Sequence, residues 1–166
     1  DNRISVAVDW YQRNNYDLIG PVSTQGAGGE ILKMGNIAEM KSNGVEFTLS
    51  TRNIQTKDFS WTTDFIYSHT HNEITKLKSN KTLMGLVSGY GFAREGYPVR
   101  SIFSIPFQGL NKDGIPTFLN QDGQITTTDI NFQESKKLDF LKYSGAADPT
   151  DLGSFGNTFG YKGFKL

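Results

Sequence analysis

The sequence has 166 residues, of which 36% are hydrophobic and 13% aromatic, and it contains 18 glycines. This aliphatic-poor, glycine-rich composition favours many strands and long loops over a thick two-layer core. Its 17 basic and 17 acidic residues balance, so charge gives no sign of steering toward nucleic acid or acidic substrates. Because the chain contains no cysteine, disulfide scaffolds and thiolate metal sites are excluded.

Strict alternation near the N-terminus predicts the first strand, over about residues 3–18. Ile4, Val6, Val8 and Trp10 alternate there with small or polar residues, which is the period of a strand with two unlike faces. The tyrosines and the tryptophan suit a membrane interface, although an aromatic-rich soluble strand would look the same. Residues 20–29 predict a loop by their glycine-rich composition, and a return segment follows from Ile31.

Residues 44–67 carry the strongest pattern in the chain. Two alternating runs, at residues 45–52 and 59–67, flank the short polar break at residues 53–58, which predicts an antiparallel hairpin. Such a hairpin is the unit of outer-membrane barrels, but soluble β-sandwiches also contain it. In a barrel the lipid-facing residues would be Val45, Phe47, Leu49, Phe59, Trp61 and Phe65, and the lumen-facing ones Glu46, Thr48, Asp64 and Ser68.

The sequence as a whole predicts three parts, at residues 1–74, 75–153 and 154–166. The first supplies barrel strands with one loop and one short turn, the second is a long extracellular excursion, and the third begins a further strand. A connection of such length must contain elements of its own. Long loops on one side and short turns on the other are typical of outer-membrane barrels. No apolar run reaches about 18 residues, so no transmembrane helix is expected.

These features together predict an all-β fold, part of a large antiparallel transmembrane β-barrel. We expect about four long strands, whereas a barrel of this kind has about 22. Both ends of the sequence fall inside apparent strands, from Asp1 and up to Leu166. The expectation is therefore a fragment whose neighbouring strands lie in the rest of a parent chain.

Five segments carry a family resemblance, namely residues 36–49, 94–103, 109–116, 145–150 and 153–166. Residues 36–49 resemble the Asn-x-Gly/Ala-x-x-x-Asn-Lys/Ser-Gly-Val-Glu strand of TonB-dependent outer-membrane receptors. The other four segments are similar, in order and spacing, to the late-barrel region of the SusC/RagA-like, starch-utilisation type of TonB-linked outer-membrane receptors. The resemblance covers essentially the whole chain.

The resemblance implies import of glycans or peptides across the outer membrane of a Gram-negative bacterium. It implies as partners the remainder of the barrel with its plug, a SusD-like surface lipoprotein, and TonB, which would act through the missing N-terminal region. No cofactor and no nucleic-acid partner are expected. The sequence also lacks the GxSxG, HExxH, P-loop and nucleotide fingerprints, which argues against an enzyme.

Two candidate metal sites are weak. His69, His71 and Glu73 could face one side of a strand, but a polar strand end facing water is the more common arrangement. Laid on the calcium-loop pattern, Asn120, Asp122 and Asp129 take ligand positions. Position 1 of that pattern falls on Phe118, which cannot ligate a cation. We therefore favour a calcium-free turn held by Asx-type hydrogen bonds.

The ligand-binding candidates are the aromatic side chains of Tyr90, Phe92 and Tyr97. In an alternative function the chain would be a soluble, β-rich extracellular carbohydrate-binding module, with these rings or Trp61 stacking on sugars. The two hypotheses differ in where the apolar strand faces point. A transporter exposes them to lipid, whereas a module buries them in a closed core.

Overall fold

The computed structural model describes residues 2–23, 32–79, 81–89 and 92–166, and the regular secondary structure in them is almost entirely β-strand. The predicted all-β fold is confirmed. A short helix, α1 (Leu83–Val87), lies between the long N-terminal strands and the later short ones. The strands are β1 (Ile4–Ser23), β2 (Leu32–Gln55), β3 (Phe59–Leu77), β4 (Ser101–Ser104), β5 (Phe107–Leu110), β6 (Pro116–Leu119), β7 (Ile125–Thr126), β8 (Lys142–Ala146), β9 (Asp151–Tyr161) and β10 (Phe164–Lys165).

The strands form three sheets, and the chain divides into two compact units. The sheet orders are β1-β2-β3-β9-β10, β4-β8 and β5-β6-β7. The first unit, called the sheet unit here, contains Asp1–Arg13, Ser42–His71 and Pro149–Leu166. The second, called the loop unit, contains Asn14–Lys41 and Asn72–Asp148.

The predicted loop at residues 20–29 is wrong at its start, because β1 continues to Ser23. Gly20 is buried, and a Cβ added there would lie 2.5 Å from Cδ1 of Ile37. This glycine therefore makes room for a neighbouring side chain within a strand, which is the other common use of glycine in β-structure. Residues 24–31 lie outside the described part of the chain. The last long strand begins at Asp151, three residues before the predicted Ser154.

Strands β3 and β9 pair without a register shift from Phe59↔Tyr161 to His69↔Asp151. Since side chains alternate between the two faces, the pairing collects aromatic residues on one face of the sheet. Trp61 lies opposite Phe159, and Phe65 lies opposite Phe155. The other face carries small or polar pairs, such as Ser60↔Gly160, Thr62↔Thr158 and Asp64↔Gly156.

The sheet unit has no apolar core of its own. All the buried hydrophobic side chains found in the described residues belong to the loop unit. In the sheet unit, by contrast, Trp10 is 71% exposed and Phe155 is 69% exposed. A soluble sheet of this size would cover one face with a second layer. Within the described residues of the sheet unit, no second layer covers the apolar face.

The loop unit, in contrast, has a small core around α1. Leu83 and Leu86 of the helix pack with three residues from other elements, namely Ala93, Phe103 and Leu141. The helix begins at a Thr82 cap, whose Oγ1 accepts a hydrogen bond of 3.3 Å from the Gly85 amide. This cap and the buried leucine pair explain a helix of only five residues, which would not form alone.

A tyrosine of β1 reaches across β2 to β3 in the sheet unit. The Tyr11 hydroxyl lies 2.9 Å from Oγ1 of Thr70, and β2 lies between their strands in the sheet order. Gly44 of β2 permits the crossing, because a Cβ there would lie 2.6 Å from both the Tyr11 hydroxyl oxygen and the His69 carbonyl oxygen. Covering a strand glycine with an aromatic ring is a known way to fix register.

We expect Gly44→Ala to destabilise the full-length protein by roughly 1–3 kcal/mol, the usual range for overpacking. The matched control is Gly156→Ala in β9, where an added Cβ meets nothing within 4 Å. Urea unfolding in detergent micelles measures the difference. Equal midpoints for the two variants would contradict the assigned crossing of Tyr11 over Gly44.

Candidate functional site

The aromatic face of the sheet unit is continuous across three strands. Phe47 of β2 contacts Phe65 of β3 with ring centroids 6.0 Å apart. Trp61 of β3 stacks on Phe159 of β9 at 5.7 Å with a 24° interplanar angle. The predicted hairpin is confirmed as well, since β2 and β3 are neighbours and the Thr56 amide donates to the Phe59 carbonyl across the turn at 2.7 Å.

Polar side chains on this face hydrogen-bond to one another. Asn53 donates through Nδ2 to Oγ1 of Thr63 at 2.6 Å. Thr63 and Trp61 both donate to Oδ1 of Asn157, at 2.7 and 3.0 Å. A polar group entering an apolar medium needs a partner within the protein. This network supplies such partners between the aromatic rings.

The metal candidate at His69 has another partner. Nδ1 of His69 lies 2.8 Å from Oδ1 of Asp151, which also accepts a hydrogen bond of 2.7 Å from the Tyr67 hydroxyl. Thr150 donates to the other Asp151 oxygen at 2.8 Å. In the part of the chain that the structure describes, no group of three His, Cys, Asp or Glu residues could hold a metal ion. His71 and Glu73 therefore have no third metal-ligating side chain there.

The aromatic ligand candidates lie in different surroundings. Tyr90 is outside the described residues. Phe92 is half-buried, and its Cε2 atom lies 3.1 Å from the position of a Cβ added at Gly20. Tyr97 packs against the loop-unit core, with its ring 5.0 Å from Phe103 and 5.1 Å from Tyr143. Phe92 and Tyr97 thus have packing roles, and ligand binding by the three rings stays a prediction.

The calcium-loop candidate folds as an Asx turn. Oδ1 of the buried Asn120 accepts hydrogen bonds from the Asp122 and Gln124 amides, at 3.0 and 2.9 Å. The predicted Asx-type bonds are therefore confirmed. Asn120 Nδ2 lies 3.5 Å from Oδ2 of Asp129, which is a long contact. The amide oxygen that a cation would need is already occupied by two backbone donors.

A second turn, nine positions earlier in the chain, repeats this arrangement. Oδ1 of Asn111 accepts from the Asp113 and Ile115 amides, both at 2.9 Å. The segments at residues 110–118 and 119–127 share Leu-Asn-x-Asp-Gly at their starts. Sequence reasoning missed this repeat, although aligning the two Asn-x-Asp-Gly runs would have found it. Because of this repeat, β5, β6 and β7 form a meander whose two turns have the same hydrogen-bonding pattern.

Lys137 places a positive charge on the Asn120 turn. Its Nζ donates to Oδ1 of Asp122 at 2.6 Å, and this hydrogen bond lowers the pKa of Asp122 and raises the pKa of Lys137. The pair therefore stabilises the fold above the ordinary aspartate pKa of 3.8 and below the ordinary lysine pKa of 10.5. It weakens as either group loses its charge outside that range.

Comparisons with known proteins agree with this geometry. No protein-family model matches the chain. The TonB-dependent receptor P3 of Formosa agariphila is 30% identical over 122 residues, which is 69% of this chain and 12% of that receptor. SusC of Bacteroides thetaiotaomicron, also a TonB-dependent receptor, is 35% identical over 78 residues, covering 46% of this chain and 8% of SusC.

Solved structures match over nearly the full chain. The RagAB peptide importer in its closed-closed state superposes with a TM-score of 0.73 and 25% identity, covering 99% of this chain and 18% of that one. A separate RagAB peptide transporter structure gives the same values. This chain belongs to the SusC/RagA-like TonB-dependent receptors.

Family membership identifies the chain as part of a transmembrane β-barrel. The chain spans about a tenth of the curated receptors that it matches, and the named relatives are receptors and importers rather than enzymes. In the described part of this receptor, no helix is long and apolar enough to cross a membrane. The TonB-dependent receptor family resides in the outer membrane of Gram-negative bacteria.

We expect calcium to bind this receptor weakly at the Asn120 turn, because Asn120 Oδ1 is hydrogen-bonded and Lys137 neutralises Asp122. Calorimetric titration of calcium into the full-length receptor measures the affinity, with Asp122→Ala as the test variant and Asp113→Ala in the earlier turn as its control. Micromolar binding that disappears only in Asp122→Ala would contradict the prediction.

Proposed function

We propose that the chain forms part of an outer-membrane transporter that imports glycans or peptides with energy supplied through TonB. The observation that carries the proposal is the sheet unit, which has one aromatic face and no buried hydrophobic side chain in its described residues. Such a face needs an apolar solvent, and a lipid bilayer supplies one. RagAB, to which the chain is similar in structure, is described as a peptide importer.

In this proposal the odd-numbered residues of the hairpin face the hydrocarbon. They are Val45, Phe47, Leu49, Phe59, Trp61 and Phe65. Glu46, Thr48, Asp64 and Ser68 then face the lumen. The ring contact between Phe47 and Phe65 supports a shared face, and the Asp64↔Gly156 pair supports a polar opposite face.

Residues 75–153 act as the extracellular excursion, whereas residues 1–74 and 154–166 supply barrel strands. A SusD-like surface lipoprotein would meet the extracellular side, and TonB would act through parts of the receptor beyond this chain. We propose no catalytic role. A soluble carbohydrate-binding module is less well supported, because it would bury the aromatic face under a second layer.

A pair of arginine substitutions tests the faces. Phe47→Arg should impair assembly of the full-length receptor, since an arginine on the lipid face near the midplane costs roughly 2–4 kcal/mol. Thr48→Arg, one residue away on the opposite face, should assemble normally. Heat-modifiable mobility of membrane-extracted receptor on gels reports assembly. Equal behaviour of the two variants would contradict the assignment.

Uptake in cells tests the transport itself. We expect cells with the wild-type receptor to accumulate labelled oligosaccharides or labelled peptides, supplied in separate experiments, and to lose that accumulation when TonB is depleted. Cells lacking the receptor gene provide the background. Accumulation that persists without TonB would contradict energy-coupled import, and accumulation of neither pool would contradict import of these ligands.

A further inference from the structure

The loop unit contains a cavity of about 390 Å³. None of the ligand candidates named above lines this cavity. Its apolar wall includes Leu86 and Ala93 of the core and Leu138, which packs against them. A volume of this size and a wall of this kind suit one sugar ring or one or two amino-acid residues. The remaining wall is dominated by charged side chains.

Positive charge is in excess in this cavity. The Arg94 guanidinium pairs with Asp139 at 2.6 Å, and Glu95 accepts a hydrogen bond of 2.6 Å from the Leu77 amide. Lys81 and Lys136 also line the cavity. Within the described residues, neither lysine has a carboxylate at ion-pair distance.

Hydrogen bonds within the protein fix the segment that carries Lys136, without any contribution from a ligand. One oxygen of Glu134 accepts hydrogen bonds from the Ser135 and Lys136 amides at 2.9 and 2.7 Å, and from the Lys137 amide at 3.2 Å. These bonds lower the pKa of Glu134. The Glu134 carbonyl also accepts from the amide of Leu83 at 2.7 Å, which ties this segment to α1.

Lys81 is positioned from the other side of the cavity. Its Cδ atom lies 3.4 Å from where a Cβ on Gly85 would be, so the lysine stem rests against the first turn of α1. Ser79 also lines the cavity, and its Oγ is buried with no hydrogen-bond partner in the described residues. A buried hydroxyl without a partner is unfavourable, and a ligand oxygen entering the cavity would provide that partner.

We propose that this cavity binds a carboxylate of the imported ligand. Lys81 and Lys136 supply the opposing charge, and Ser79 donates a hydrogen bond. The leucine and alanine wall then contacts the carbon skeleton that bears the anion. This inference rests on the proposed import function and narrows its substrate class to acidic saccharides or to peptides with a free carboxylate.

Calorimetric titration of the full-length receptor in detergent tests the proposal. The probes are two matched pairs: glucuronate against glucose, and N-acetyl-alanyl-alanine against its C-terminal amide. We expect wild type to bind an acidic probe and to bind its neutral counterpart at least about tenfold more weakly. Preference for glucuronate would identify acidic saccharides as the source of the anion, and preference for the free peptide would identify peptides.

Substitutions then assign the binding to the cavity. The double variant Lys81→Gln/Lys136→Gln should weaken acidic-probe binding roughly tenfold, the combined worth of two partly exposed ion pairs. Lys112→Gln, which removes the same charge away from the cavity lining, should bind as wild type does. Ser79→Ala should cause a smaller loss of about two- to fivefold. If the double variant fails to assemble, Ser79→Ala and Lys136→Gln alone decide the question.

Several results would overturn the proposal. They are equal binding of acidic and neutral probes, unchanged binding in the lysine variants, and no binding by wild type, which would follow if another part of the receptor fills the cavity. Any of these results together with intact TonB-dependent uptake would reject the cavity as a ligand site, while the proposed import function would still hold. Acidic-probe binding that depends on both lysines in a receptor without uptake would reject import alone.

Discussion

Antiparallel pairing between β3 and β9 is the interaction on which the sheet unit depends, because it joins strands that residues 78–150 separate in sequence. An unpaired backbone amide or carbonyl costs several kcal/mol in hydrocarbon, so in the proposed barrel every ladder position from Phe59 to His69 needs its partner. A slip of one residue would also move every side chain of one strand to the opposite face. Stacking of Trp61 on Phe159 and the shared hydrogen bonds to Asn157 would both be lost.

The loop unit has to solve a different problem, which is to order a long excursion at low entropic cost. It does so with small local sheets rather than one large core. The β5-β6-β7 meander closes through two five-residue turns of the same kind, each centred on an asparagine. Longer-range links then hold the later part, such as the Arg100–Asp148 ion pair of 2.6 Å and the hydrogen bond from the Ala147 amide to the Arg100 carbonyl. Because each of these turns closes a short loop, the conformational entropy lost in forming any single contact is small.

Local patterns predicted a good part of this fold, and non-local contacts account for the rest. Alternation around Phe47 and Trp61 gave the hairpin and its faces, and the Asn-x-Asp-Gly chemistry gave the turn at Asn120. Gly20 and Gly44 illustrate the limit. The sequence around Gly20 predicts a loop, and the sequence around Gly44 predicts an ordinary strand position. In the structure both glycines leave room for side chains from other elements. Which residue fills the space above a strand glycine depends on sheet order, and a single sequence does not contain that information.

The cavity was missed for the same reason. Its walls come from the end of β3, from α1 and from the segments around Ala93 and Lys136, so no contiguous motif marks it. Aromatic rings drew attention as sugar platforms, yet Tyr97 is engaged with Phe103 and Tyr143. The proposed site instead combines unpaired charge with an apolar wall, a combination that becomes visible only when ion pairs can be assigned.

The two units together explain a composition that suits neither an ordinary soluble domain nor a helical membrane protein. Mean hydropathy is −0.44 and only 36% of residues are hydrophobic, because a membrane strand needs apolar side chains on one face alone. Aromatic residues fill that face with few positions, as Trp61 and Phe159 do. Glycines such as Gly156 and Gly160 occupy the opposite face of β9, which faces the interior in the proposed barrel. The many polar turns belong to the loop unit, whose small core around Leu83 and Leu86 is the part of the chain that folds as a soluble protein does.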